Sequence, residues 1–220
     1  MEYKRLTILC GHYGTGKTNC AVNMAMDLKR QYPKVAVADL DIVNPYFRTK
    51  DSEEEFEKAD IELICSRYAN TNLDIPALPE NLYRITEDRD TKMILDIGGD
   101  DSGAIVLGRL ASAILEENDY EMLTVINKYR PLTPDVESTV EVLREIEAAS
   151  RIPCTGIVNN SNLGEETAPE DVAASLQYAE DVASAMGIPV VMTTVKADLY
   201  EELAGKIPNL FPLRLQRKIL

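Results

Sequence analysis

The chain contains one histidine, His12, and no tryptophan. A lone imidazole excludes any multi-histidine metal centre. Its four cysteines, Cys10, Cys20, Cys65 and Cys154, are scattered without a CxxC pair, which excludes a disulfide framework and zinc-site spacing. Most of them lie in apolar, strand-like stretches and read as buried free thiols. No run of about 18 apolar residues occurs, so no transmembrane helix is expected. Positive charge is also scarce. With 23 Lys and Arg against 37 Asp and Glu, the formal net charge is −14. Proteins hold nucleic acid through Lys and Arg on its phosphates, so no nucleic-acid partner is expected. The segment Met1-Glu-Tyr-Lys-Arg passes at once into a strand and leaves no room for a signal peptide, which makes the cytoplasm the expected location.

What is present points to one α/β domain spanning residues 1–220, an ordinary domain size. Apolar runs recur at Leu6–Cys10, Val35–Leu40, Glu62–Cys65, Met93–Ile97, Met122–Ile126, Cys154–Val158 and Val190–Thr193. Amphipathic segments separate most of them. Over Pro134–Ala149, Val136, Val140, Leu143 and Ile146 form one stripe, with Thr133 as N-cap and Pro134 at the first helical position. Over Asp171–Met186 the same pattern recurs, with Thr167-x-x-Glu170 as a capping box and Gly187 as the stop. Buried strands alternating with such helices give a doubly wound, mostly parallel sheet with helices on both faces. Ligands of such sheets bind beyond the carboxyl ends of the strands. Those ends are Gly11–Thr18, Asp39–Asn44, Asp96–Asp101 and Asn159–Asn162.

The first of these ends, Gly11-His-Tyr-Gly-Thr-Gly-Lys17-Thr18, is a complete G-x₄-G-K-T phosphate-binding loop between a strand and the helical Asn19–Gln31. Gly14 and Gly16 let the backbone curl so that its N–H groups face phosphate oxygens, and the new helix offers its positive end to the same anion. Lys17 reaches the β- and γ-phosphates, and the Thr18 hydroxyl ligates Mg²⁺. Tyr13, Thr15 and Asn19 complete the expected nucleotide cradle. A dinucleotide-binding reading fails, because Asn19 stands where the third glycine belongs. The second end carries Asp39 and Asp41 at i and i+2. Beside phosphates, one can hold Mg²⁺ through water while the other orients an attacking water. The third end, Lys92-Met-Ile-Leu-Asp96-Ile-Gly98-Gly99, is an apolar strand closing on an aspartate, the Walker-B arrangement of a magnesium-shell carboxylate. Gly99, with no Cβ, allows its N–H to approach a γ-phosphate.

In this order, P-loop, D-x-D and D-x-G-G, the chain resembles the MinD/ParA/nitrogenase-iron-protein group of P-loop ATPases, the SIMIBI class, from about Leu6 to Leu203. The resemblance implies an Mg²⁺-dependent ATP site. It places Asp39 and Asp41 in a first switch, with Asp41 as the water-orienting aspartate, and Asp96 and Gly99 in a second. It aligns Asn127 with the Thr-Asn-Pro segment of the group, and Asn159 or Asn160 with the asparagine that contacts the base, which favours ATP. A guanine-reading N-K-x-D is missing, since Asn127-Lys128-Tyr129 continues into Arg130. One departure stands out. MinD and ParA relatives carry a signature lysine directly after the first P-loop glycine, and His12 occupies that position here. Arg48, beyond the first switch, is a second candidate for a replacement charge, with a solvated arginine as the alternative. The nucleotide-sandwich homodimer that needs the lysine is therefore not implied. The iron–sulfur role is rejected, because no cysteine lies between Cys65 and Cys154.

Three uses of such a pocket compete. The first is a slow ATPase acting as a regulatory switch on a partner protein, which suits the acidic composition. The second is a small-molecule kinase or an ATP-dependent ligase of the dethiobiotin-synthetase kind, with its acceptor pocket near Asn44–Arg48 and Gly98–Ser102. The third is a membrane- or DNA-positioning ATPase. Its support is the basic tail over residues 205–220, where Pro212–Leu220 is apolar and basic like a short surface-binding helix; because the stretch is short and Pro212 interrupts it, a tail docked on its own domain with Arg and Lys solvated is the favoured reading. The acidic run Asp51–Asp60 reads as a solvated helix face, and Arg67–Arg89 shows no clear period.

Overall fold

A computed structural model describes residues 3–40, 53–65, 80–98 and 101–215. Among them, eight strands form one sheet in the order β3-β2-β4-β1-β5-β6-β7-β8. The strands are β1 (Leu6–Cys10), β2 (Val35–Leu40), β3 (Glu62–Cys65), β4 (Lys92–Ile97), β5 (Tyr120–Ile126), β6 (Gly156–Asn159), β7 (Val190–Lys196) and β8 (Leu210–Leu213). Every neighbouring pair is parallel. Central parallel strands are covered on both faces and so need apolar residues at every position. Accordingly β1 and β2 are buried from end to end.

The two faces carry separate cores. On one, α1 (Lys17–Gln31) packs Cys20, Ala21, Met24, Ala25 and Leu28 against Leu9, Val37, Ile94 and Leu123. Phe56 of α2 (Glu53–Lys58) joins this core as a buried anchor within an otherwise acidic helix. On the other face, α4 (Asp101–Gly108) and α5 (Ala111–Glu117) cover Leu6, Ile8, Met93 and Leu95 through Ala104, Leu107, Leu110 and Ile114. The one-turn α3 (Arg84–Glu87) adds Ile85 to this second core. A third core forms between α6 (Val136–Ser150), α7 (Pro169–Met186) and the strands β5 and β6. Within it the stripe of Val140, Leu143 and Ile146 is buried as its spacing predicts, although Ile146 packs into the core under α4 and α5. The buried Arg5 ties β1 to α5 by an ion pair with Glu117 and donates to the carbonyls of Ile85 and Asp88.

Both helix starts differ from the sequence reading. α6 begins at Val136, with Asp135 as its cap, whose Oδ1 accepts from the Ser138 N–H at 2.8 Å. Asp caps more strongly than Thr, so it takes the role expected of Thr133. Before α7, Thr167 Oγ1 donates to the Gly164 carbonyl and accepts from the Leu163 N–H, closing the preceding turn. The reciprocal cap belongs to Asp171, whose carboxylate accepts from the Ala168 N–H at 2.8 Å, and Pro169 occupies the first turn. Gly187 ends the helix in a left-handed conformation, as expected.

The C-terminal segment, as far as it is described, takes the docked form rather than that of a surface helix. After the one-turn α8 (Tyr200–Leu203), Leu210–Leu213 adds an edge strand, with Leu213 buried. An edge strand tolerates Pro212 because its missing N–H faces away from the ladder. Asn23 on α1 then holds Arg214 by hydrogen bonds to both its N–H and its carbonyl. A strand to Leu213, followed by the docked Arg214, thus stands where a surface helix would start at Pro212; residues 216–220 lie outside the described residues. No helix among the described residues is long and apolar enough to cross a membrane.

Candidate functional site

The strand order places β4 and β5 on opposite sides of β1. The loop leaving β1 therefore has the β4 carboxyl end on one flank and the β5 and β6 ends on the other.

The loop itself is bent by glycine. Gly11, Gly14 and Gly16 have φ of 133°, 77° and 91°. Gly11 lies so close to β5 that a Cβ there would sit 2.4 Å from the Val125 carbonyl oxygen. The turn is closed by Thr15, whose N–H and hydroxyl both donate to the His12 carbonyl at 3.3 and 2.9 Å. Lys17 is buried, and its ammonium donates to the carbonyls of Gly11 and His12 at 3.0 and 3.1 Å. Gly16 precedes α1 without supplying a side-chain cap, and the first turn carries no acid. The positive end of the helix dipole is thus not offset by an acid of its own turn, which suits an anion.

On the β4 flank, Thr18 Oγ1 donates to Asp96 Oδ2 at 2.6 Å. Asp39 and Asp96 are paired in register across the parallel strands β2 and β4, and both are buried. A hydroxyl and carboxylates are hard oxygen donors of the kind Mg²⁺ selects, usually completed by waters and substrate phosphates. Burial, reinforced by the charge of Asp96, pushes the neighbouring Cys20 thiol up to about 12.

On the β5 and β6 flank, buried amides set the loops. Asn127 Oδ1 accepts from the N–H groups of Tyr129 and Asn162, while its Nδ2 donates to the Asn162 carbonyl. Asn159 Nδ2 donates to Ser175 Oγ at 2.9 Å. Asn160 reaches under the P-loop: its Nδ2 donates to the Thr15 carbonyl at 2.6 Å, and its Oδ1 accepts from Thr194 Oγ1 at 2.5 Å. That contact explains Gly16, since a Cβ at Gly16 would lie 2.3 Å from Asn160 Nδ2. Arg130, in the loop after β5, lies over the outer face of Gly14.

Of the residues singled out in the sequence, the fold gathers Gly11, Gly14, Thr15, Gly16, Lys17, Thr18, Asp39, Asp96, Asn159 and Asn160 around this one loop. Tyr13 is exposed at its tip, His12 Nδ1 lies 3.1 Å from the Tyr13 carbonyl, and Asn19, half-buried in the first turn of α1, accepts through its carbonyl from Asn23. Asp41, Asn44, Arg48 and Gly99 lie outside the described residues. The sequence reading missed the structural roles of Asn160 and Thr194 and the position of Arg130. Thr194 sits beside Thr193 in a strand of otherwise mostly apolar residues, and nothing in its local pattern marks it. Arg130 was legible only as the residue replacing an aspartate.

The profile of the CobQ/CobB/MinD/ParA nucleotide binding domain matches residues 6–203. No curated protein matches the sequence. Solved structures with a similar fold include the signal recognition particle 54 kDa protein from Aeropyrum pernix, crystallised with GDP, at 20% identity and a TM-score of 0.57. It is matched over 87% of this chain and 41% of its own length. FtsY from Mycoplasma mycoides is 18% identical with a TM-score of 0.57, over 89% of this chain and 62% of its own. Chloroplast FtsY from Physcomitrella patens is 18% identical with a TM-score of 0.58, over 88% and 59%. The chain therefore spans roughly two fifths to three fifths of the length of these neighbours, and at such identities the likeness is one of fold.

Proposed function

Because the chain belongs to the CobQ/CobB/MinD/ParA nucleotide-binding domain family, we propose that it is an Mg²⁺-dependent ATPase that serves as a slow regulatory switch on a partner protein. The observation that carries the reading is the juxtaposition of Lys17, Thr18 and Asp96 at one glycine-bent corner, with the Thr18 hydroxyl 2.6 Å from Asp96. Lys17 and the loop N–H groups hold the β- and γ-phosphates. Thr18, Asp96 and Asp39 would hold Mg²⁺. When bound, the ion neutralises charge on the β- and γ-phosphate oxygens. Asp41 orients a water for in-line attack, and catalysis comes from positioning and charge stabilisation with little covalent chemistry. Loss of the γ-phosphate then ends its contacts with the two switch segments, 41–48 and 98–102, which is how such a site reports to a partner.

ATP is favoured over GTP by what the β5 end lacks. Reading guanine through N-K-x-D needs a carboxylate three residues after the asparagine, and Arg130, a donor only, stands there. The side chain of Asn127 is already spent on its own turn. Isothermal titration with Mg-ATP and Mg-GTP, together with phosphate release in the absence of any acceptor, tests the proposal. Binding of ATP with slow, acceptor-free phosphate release is expected, and Asp41→Ala should retain binding while slowing release. No binding of either nucleotide would refute the site; release that requires a small-molecule acceptor would refute the switch in favour of a kinase or ligase.

A further inference from the structure

The loop that follows β5 brings a cation to the phosphate-binding loop from the side opposite the magnesium ligands. A Cβ built on Gly14 would lie 3.7 Å from Arg130 Cζ and Nε and 3.8 Å from Nη1, so the guanidinium rests against the outer face of the loop. The backbone that carries it is fixed. The Arg130 N–H donates to the Asn127 carbonyl at 3.1 Å, the Thr133 N–H donates to the Arg130 carbonyl at 3.2 Å, and both Asn127 and Thr133 are buried. Pro131 stiffens the turn further. The side chain is exposed and forms no ion pair among the described residues. Among the described residues its charge is therefore not committed to a carboxylate, in a chain where acids outnumber bases 37 to 23.

Topology decides which part of a nucleotide this cation meets. The Thr18–Asp96 contact lies toward β4, and β4 and β5 flank β1 on opposite sides. A polyphosphate whose γ end lies at Thr18 and Asp96 runs across the loop with its nucleoside end toward β5 and β6. Gly14 precedes Lys17 and Thr18 on that second side, and Arg130 covers it. We propose that Arg130 is a nucleotide-binding residue that closes over the α-phosphate and ribose. Resting on the nucleotide-site reading above, this assigns its charge to the part shared by ATP and ADP, and not to the γ-phosphate. A guanidinium donates in a fixed fork to phosphate oxygens, so the contact is charge-assisted and indifferent to the base.

The test is titration of Mg-ATP, Mg-ADP and Mg-GTP into the wild-type chain, Arg130→Ala, Arg130→Lys and Lys128→Ala. Lys128 is the adjacent cation, whose ammonium is engaged by the Ala174 carbonyl; its variant removes the same charge without the contact. Arg130→Ala is expected to weaken all three nucleotides by the same factor, about tenfold, the size of one charge-assisted contact. Arg130→Lys should recover part of the loss, and Lys128→Ala should match the wild type. Thermal melting without nucleotide confirms that each variant is folded. A loss confined to ATP and GTP, with ADP unchanged, would mean a γ-phosphate contact and overturn the proposal. A changed ratio of ATP to GTP affinity would mean a base contact, and an unchanged Arg130→Ala a solvated side chain; both overturn it. Absence of any binding by the wild type would instead strike the nucleotide site itself.

Discussion

The tightest physical coupling in the site joins Gly16 to Asn160, and a double-mutant cycle measures it. Gly16→Ala has two costs. An L-residue forced into the left-handed region loses about 1–2 kcal/mol, and the Gly16 φ of 91° demands that region. The new Cβ would also sit 2.3 Å from Asn160 Nδ2, so the amide must swing away. That movement breaks its bonds to the Thr15 carbonyl and Thr194 hydroxyl, both buried. Leaving buried polar groups unpaired costs about 1–3 kcal/mol. Gly16→Ala should therefore destabilise by about 2–5 kcal/mol, and Asn160→Ala by about 1–3 kcal/mol through the same lost bonds. In the double variant those bonds are lost only once and the clash is gone. The sum of the single effects should then exceed the double effect by about 1–3 kcal/mol. Urea unfolding followed by circular dichroism supplies the numbers, with melting shifts of about 2–4 °C per kcal/mol for a chain of this size. Additivity within about 0.5 kcal/mol would show that Asn160 and Gly16 do not act as one unit.

Lys17→Ala should weaken Mg-ATP binding by up to about a hundredfold, as loss of a charge-assisted phosphate contact worth up to about 3 kcal/mol predicts; calorimetry showing unchanged affinity would contradict it. Asp96→Asn should lower ATP affinity in Mg²⁺ to the value found with chelator while leaving the chelator value intact, and an equal loss in both conditions would point to a purely structural aspartate. Cys20 offers a pH test. Its pKa is raised to about 12 in the folded chain, against about 8.5 for an ordinary thiol, so the folded state keeps a proton that the unfolded state has lost. The stabilising difference is complete below about pH 8.5 and disappears as pH rises toward 12, at up to about 1.4 kcal/mol per unit. Urea unfolding at rising alkaline pH should therefore show a steeper decline for the wild type than for Cys20→Ala, and parallel curves would rule the account out.

Much of this architecture was readable because buried parallel strands and phosphate loops both impose local rules. β1 and β2 must be apolar throughout, and their bounds emerged as Leu6–Cys10 and Val35–Leu40. Gly11, Gly16 and Lys17 have no substitutes in a loop that wraps an anion, so spacing alone located it. What escaped was set by competition or by distance along the chain. Asp135 and Thr133 are both plausible caps, and only the stronger acceptor prevailed. Leu210–Leu213 joined the sheet because an edge remained beside β7, a fact of the assembled fold and not of those residues. The clamp from Asn160 to Thr15 spans 145 positions, and no local pattern announces such a contact.

The site also has a polarity that follows from how the sheet is wound. From β1 the chain passes over β4 to reach β2, while from β4 it passes over β1 to reach β5, so the two connections leave in opposite directions. Right-handed crossovers running in opposite directions place their helices on opposite faces, which is why α1 and the pair α4 and α5 belong to different cores. The same reversal opens a crevice at the strand ends, the place where α/β sheets take their ligands. The carboxylates Asp39 and Asp96 collect on its β2 and β4 side, whereas the amides of Asn127, Asn159 and Asn160 collect on its β5 and β6 side with Arg130. A polyphosphate cannot set its bare anionic end against the amide side and leave the acids without a metal, nor an uncharged base against paired carboxylates, at equal cost. On the proposed reading, winding order thus sets which way round a nucleotide lies, before any residue recognises its base.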